Sequence, residues 1–150
     1  MPTKIKIFAY LAAIDRLSTR ANLFNKHCSP SASCETCGAE ESGHHLFFAC
    51  PAAAAVWLQL QIIAPEPDAP LWTTTSPAPA PVHVWRSVLA AVLWQIWKAR
   101  NDLVFNDKFT HPSLVIRRAA DDILLWTGRF KAEDRLPLNR LRALLVTRSM

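Results

Sequence analysis

The sequence predicts a mainly α-helical chain, built as a small cysteine–histidine lobe with flanking helices, a proline-rich linker and a C-terminal helical pair. Three observations lead there. Apolar residues recur every three to four positions in separate stretches, the period of a helix with one buried face. Glycine is scarce, at 3 of 150 residues, while proline reaches 11. That balance suits helices joined by stiff connectors better than a sandwich with many tight turns. All four cysteines fall in one short stretch, His27 to Cys50, which has no helical period. With 51% of the chain apolar, there is enough hydrophobic material for a core.

Taken in order, Pro2 to Lys26 reads as helical, with Phe8, Leu11, Ile14 and Leu17 at helical spacing. Ser18 and Thr19 supply a break and an N-cap for a short second helix through Leu23 and Phe24. After the ligand loop, Pro51 sits at a first helical position, followed by Ala52 to Leu60, apolar on most sides. Pro65 to Pro81 holds six of the eleven prolines and reads as an extended, semi-rigid linker. Val82 to Phe105 carries the strongest helical pattern, with Trp85, Val88, Leu89, Val92, Ile96, Ala99 and Leu103 on one face. Trp94 falls on the opposite side and marks either a packing partner or a contact surface. Pro112 opens another helix capped near Thr110 or His111, with Val115, Ile116, Ala119, Ile123, Trp126 and Phe130 in one stripe. Leu138 to Arg148 mixes leucine with arginine as a weak basic helix. The expected divisions are thus 1–63 for the metal-binding lobe, 64–81 for the linker, 82–130 for a helical hairpin and 131–150 for a basic tail.

The net charge is +5, and the excess lies in the C-terminal half. A mild basic bias suits a nucleic-acid partner as well as an ordinary soluble surface. No segment has the pattern of a signal peptide. The longest uncharged run, Ser42 to Pro65, contains two histidines, a cysteine and two glutamines and makes a poor membrane span. The expectation is an intracellular protein, nuclear or cytoplasmic, with no membrane partner. Thiols stay reduced there, so clustered cysteines point to metal rather than disulfides.

The chemistry concentrates in Cys34-x2-Cys37-x7-His45-x4-Cys50. A two-residue gap lets a tight turn aim both sulfurs at one point, and Gly38 permits the left-handed backbone such turns use. Three thiolates and an imidazole are a zinc donor set, and filling all four positions with protein makes the site structural, with no place for a catalytic water. Cys28 is an alternative to one of the cysteines, His44 to His45, and His27 is a weaker candidate. His45 is favoured because four residues separate it from Cys50, as in retroviral-type knuckles.

Several segments together resemble the zinc-binding domain of plant non-LTR (LINE-type) reverse transcriptases. These are Lys4 to Ala12, Asp15 to Thr19, Cys34 to Glu41, His45 to Pro51 and Ala55-Val56-Trp57, with the cysteine–histidine block the most specific. Leu93 to Asn101 resembles the segment that follows this domain in the same polyproteins. The resemblance covers residues 3–107. It implies ligation by Cys34, Cys37, His45 and Cys50, and a role in holding the element's RNA or target DNA. His44 departs from the family pattern, which has an acidic residue there, and the stretch between Cys37 and His45 is slightly short.

Enzymatic readings find little support. Ala119-Ala120-Asp121-Asp122 is superficially like a polymerase signature but lacks its aromatic and lies in a helical pattern, with Arg117 and Arg118 one turn earlier. A Cys50–His45 nucleophile would leave Cys34 and Cys37 unexplained, and no phosphate-cradling glycine loop is present. The expectation is a non-enzymatic zinc module that binds RNA or DNA. In that reading Lys4, Lys6, Arg16, Arg20 and Lys26 meet phosphates, while Phe47 and Phe48 either stack on bases or pack over the metal. The competing readings are a zinc-stabilised helical domain that binds protein through its Trp-rich helix, and a retroelement remnant without a selected role.

Overall fold

The computed structural model describes residues 1–150 and contains six α-helices. They are α1 (Thr3–Ala13), α2 (Arg20–Asn25), α3 (Pro51–Leu60), α4 (Val82–Asn106), α5 (Pro112–Trp126) and α6 (Ala132–Arg148). The mainly α architecture follows the sequence pattern, and no strand forms beyond an isolated bridge between Ser33 and Glu40. No helix is long and apolar enough to cross a membrane.

Several helix ends are set by local chemistry. The Thr19 hydroxyl accepts the Asn22 N–H at 3.1 Å and starts α2. The His111 ring accepts the Ser113 N–H at 3.1 Å, with Pro112 in the first turn of α5. Pro51 likewise opens α3. At the end of α1 the Arg16 N–H reaches back to the Leu11 carbonyl at 2.8 Å, and Asp15 takes a left-handed φ of 54°. This closure stops the helix at Ala13.

The face that α1 buries differs from the one the sequence suggested. The stripe is Ile5, Phe8, Ala9 and Ala12, whereas Leu11 is half-buried and Ile14 lies exposed past the helix end. The choice was made by α4, whose Trp94 receives the Phe8 ring edge-on at 5.2 Å between centroids. Lys4 covers the same indole, 5.9 Å from its centroid. Trp94 is therefore a packing residue.

Helix α4 is the axis of the molecule. Its buried set runs from Val84 to Ile96 and includes Ala90, Ala91, Leu93 and Gln95, well beyond a single stripe. It is enclosed by α1, α5, α6 and the turn before α3. Helix α5 buries Val115, Ile116, Ala119, Ala120, Ile123 and Trp126 against it, close to the expected stripe. A third helix joins the expected pair: α6 begins at Ala132 and passes through Pro137. A proline inside a helix costs roughly 3 kcal/mol. Leu138, Leu141 and Leu145 are all essentially fully buried, and at about 1.5–3 kcal/mol apiece they outweigh it.

The linker lies along the body. Thr74 is buried and its carbonyl accepts the Trp85 indole N–H at 2.7 Å. Leu71, Trp72, Ala78 and Ala80 pack on the core. One continuous cluster of 33 buried residues reaches from Ile5 to Leu145, so the N-terminal lobe and the C-terminal helices share a core.

Candidate metal centre

The loop between α2 and α3 is held to the body at its two ends. Its turn is closed by Gly38 N–H to the Cys34 carbonyl at 2.9 Å, and Cys34 N–H to the Ala39 carbonyl at 2.6 Å. Gly38 sits at φ 79°, the left-handed region expected just after the second sulfur. On the far side, His45–Ala49 forms a wide π-type turn in which the Cys50 N–H bonds the His45 carbonyl at 2.7 Å. This turn brings His45 and Cys50 to the same side before Pro51 launches α3.

The result is a four-point cluster. One ligand atom each from Cys34, Cys37, His45 and Cys50 lies within 4.8 Å of all the others. The Cys34 and Cys50 sulfurs are 3.9 Å apart, and Cys37 Sγ is 3.3 Å from His45 Nε2. A tetrahedral zinc ion with metal–sulfur bonds near ~2.3 Å would set two sulfurs about 3.8 Å apart. The sulfurs of Cys34 and Cys50 are far too separated for a disulfide and close to that spacing. The donor set and its geometry fit a structural zinc ion. Zinc would supply a cross-link at the crossing of the loop and the start of α3, and with all four donors protein-derived it would leave no open position.

The electrostatics favour a cation here. Burial raises the Cys34 thiol, but the backbone N–H groups of Cys37 and Thr36 aim at its sulfur and bring its pKa below the usual thiol value. Cys50 goes the other way, pushed up to about 11, first by burial and further by the neighbouring Cys34 and Cys37. Divalent metal displaces such a proton, because the ligand is the thiolate.

The alternatives stand elsewhere. His44 turns away, its Nε2 3.0 Å from the Pro65 carbonyl and its ring against Phe48. Cys28 is exposed and its sulfur contacts the Lys26 carbonyl. His27 is also exposed, at a left-handed φ of 59°. Zinc content separates the two histidines: His45→Ala is expected to lose the metal, while His44→Ala and Cys28→Ser retain about one ion per chain by elemental analysis. Loss of metal on His44→Ala would reassign the ligand.

Of the two roles open to Phe47 and Phe48, base stacking or packing over the metal site, the structure takes the packing one. Phe47 and Phe48 are 1% and 3% exposed. Phe47 meets Phe8 edge-on, and Phe48 packs on Trp57, whose indole N–H donates to the Phe47 carbonyl at 2.7 Å. Asp121 and Asp122 lie on helix α5, and neither pairs with Arg117 or Arg118. Asp122 instead accepts from the buried Gln95 amide at 2.6 Å, and Arg117 turns to Ser149.

One pair went unnoticed in the sequence. Glu41, 2% exposed, receives the Arg100 guanidinium of α4 on both carboxylate oxygens, with Nε–Oε2 at 3.2 Å. It also accepts the Arg20 backbone N–H at 2.9 Å, at the start of α2. Arg100 is further held by Asn101 and lies over the Trp97 ring. The ligand loop is thereby tied to two helices. The sequence signal was that Glu41 and Arg100 both lie in segments of the resemblance, Cys34 to Glu41 and Leu93 to Asn101.

Residues 1–57 match a protein-family model described as zinc-binding in reverse transcriptase. All four cluster residues lie inside the matched stretch. Neither the curated proteins nor the solved structures give a match.

Proposed function

We propose that this chain is a non-catalytic, intracellular nucleic-acid-binding module of a plant non-LTR retroelement reverse transcriptase, in which zinc fixes the fold and the surface does the binding. The observation that carries the reading is the closed three-cysteine, one-histidine cluster inside the stretch similar to the zinc-binding region of reverse transcriptases. A site with four protein donors offers no reactive position, so its contribution is architectural. The net charge of +5 supports a polyanionic partner. The alternative of a protein-binding Trp-rich helix was drawn from Trp94 lying off the main apolar stripe and from the stiff linker before it, and that linker packs on the core. The Trp94 indole is engaged with Phe8 and Lys4, and Trp97 with Arg100, so no specific observation favours that alternative.

Binding of labelled single-stranded RNA tests the proposal. Three neutralised phosphates give roughly a twentyfold loss of affinity between about 50 and about 200 mM salt, at a slope near −0.7 per phosphate. Wild-type protein without measurable, salt-sensitive affinity would remove this function.

A further inference from the structure

The donors of the cluster are not equally protected. Cys34 and Cys50 are each 6% exposed and belong to the core, whereas Cys37 stands open to solvent. The difference follows from where each sulfur sits. Cys50 precedes Pro51 at the start of α3, just after the turn that carries Leu46, Phe47 and Phe48 inward. Cys37 lies at the tip of the loop, where every residue from Glu35 to Glu40 is exposed. A Cβ built on Gly38 would meet nothing within 4 Å, so the space beside this tip is open.

One sulfur at the surface with others directly behind it is the arrangement of an oxidant-sensitive centre. Cys34 Sγ and Cys50 Sγ both lie within 4.8 Å of Cys37 Sγ. Of the two, Cys34 is better placed to react with an oxidised Cys37. The pair shares the short turn closed by the Gly38 N–H on the Cys34 carbonyl, so their sulfurs can meet by a bend of an exposed loop. Cys34 Sγ also accepts the Thr36 N–H at 3.4 Å, a contact that favours its thiolate. Cys50, by contrast, is fixed where α3 begins. Cys28 is the other exposed cysteine, but it turns its sulfur to the Lys26 carbonyl and stands outside the cluster.

We propose that the metal centre is a peroxide-sensitive latch that opens at Cys37: hydrogen peroxide oxidises that sulfur, Cys34 closes a disulfide with it, and the ligand loop lets go of α3. The inference rests on the zinc reading above and adds its regulation. In the first step the Cys37 thiolate attacks one peroxide oxygen. An S–O bond forms, the O–O bond breaks, and hydroxide leaves and takes up a proton to become water. In the second step the Cys34 thiolate attacks the Cys37 sulfur. An S–S bond forms, the S–O bond breaks, and a second hydroxide departs as water. The two sulfurs together give up two electrons, which the peroxide accepts. A disulfide sulfur is no longer a thiolate ligand, which leaves only His45 and Cys50 of the four donors. Both of these belong to the segment that leads into α3, so no cross-link from the loop remains there. The oxidised chain is thereby a metal-free one, with its loop closed on itself.

The test treats the zinc-loaded full chain with hydrogen peroxide. Zinc release is read with a chromogenic chelator, disulfides by peptide mapping, and sulfenic acid by dimedone trapping. About one zinc ion is released for each disulfide formed, the disulfide joins Cys34 to Cys37, and the dimedone adduct sits on Cys37. Thiol reductant with added zinc restores the metal and the helicity. Cys28→Ser behaves as the wild type does. Cys37→His keeps a two-cysteine, two-histidine donor set and holds its zinc at peroxide concentrations that empty the wild-type site. Should that variant fail to bind metal, the wild-type disulfide map and the position of the dimedone adduct decide by themselves. Zinc that stays bound under peroxide, a disulfide through Cys28 or Cys50, or thiols driven past the disulfide without recovery overturns the latch while the zinc site stands. A reduced wild-type chain that holds no zinc ends both readings.

Discussion

Replacing Cys50 with serine, or stripping the metal with a chelator, will abolish zinc binding and unfold the first third of the chain. Apart from the ties of Glu41 to Arg100 and to the Arg20 backbone, few other contacts hold the ligand loop. Between residues 28 and 44 only Cys34 and Glu41 are buried, and pairing is limited to the Ser33–Glu40 bridge. Structural zinc contributes on the order of 10 kcal/mol, comparable with the whole stability of a typical domain at about 5–15 kcal/mol. The loss spreads because Cys34 and Cys50 are members of the common core and the turn after His45 carries Leu46, Phe47 and Phe48 into it. Helices α4, α5 and α6 retain their mutual packing, so ellipticity falls without vanishing. Hydrogen exchange then shows residues 1–60 losing protection ahead of 82–148. A metal-free protein with unchanged ellipticity, thermal midpoint and exchange protection would show that the cluster does not hold the fold.

Glu41→Ala is expected to cost roughly 3–5 kcal/mol, because it leaves the Arg100 guanidinium in a largely buried position without its anion. The Arg20 backbone N–H loses its acceptor in the same step. The ion pair is well screened from water, at 11% and 3% side-chain exposure, so the discount applied to surface pairs does not hold here. At about 2–4 °C per kcal/mol, the thermal midpoint drops by roughly 10 °C. Arg100→Ala should cost a similar amount, and the double variant much less than the sum, since each side chain is costly only when the other is left alone. Thermal unfolding of the zinc-loaded proteins measures all three. Additive single and double effects would mean that Glu41 and Arg100 act independently. Zinc should remain bound in both single variants, because neither residue is among the four cluster donors.

Much of the molecule was legible before any coordinates. Pro51, Thr19 and the His111–Pro112 pair announced the starts of α3, α2 and α5 through backbone rules that act within one turn. The stripe of α5 was read nearly as it packs. The spacing of Cys34, Cys37, His45 and Cys50 picked out the same four residues that the structure brings together, and Gly38 took the left-handed turn that spacing called for. A ligand set of this kind is written in local geometry, since two sulfurs on one turn and two donors around one helix start need few long-range contacts to converge.

Contacts between distant segments were not legible. The face that α1 buries, the partner of Trp94, the packing of the linker through Thr74 and the pairing of Glu41 with Arg100 each join residues that no local period relates. Helix α6 was visible only as a weak basic tail, because Pro137 argues locally against a helix and the three buried leucines that offset it count only once α4 and α5 are beside them. Likewise, whether Phe47, Phe48 or Tyr10 faces solvent depends on which elements pack over them in the folded chain. Sequence by itself determined most of the helices, the starts of α2, α3 and α5 and the four candidate donors, because these follow from covalent geometry and hydrogen bonding within a few residues. Tertiary structure decided which faces close on each other and which remain open, because burial is a property of the whole folded chain.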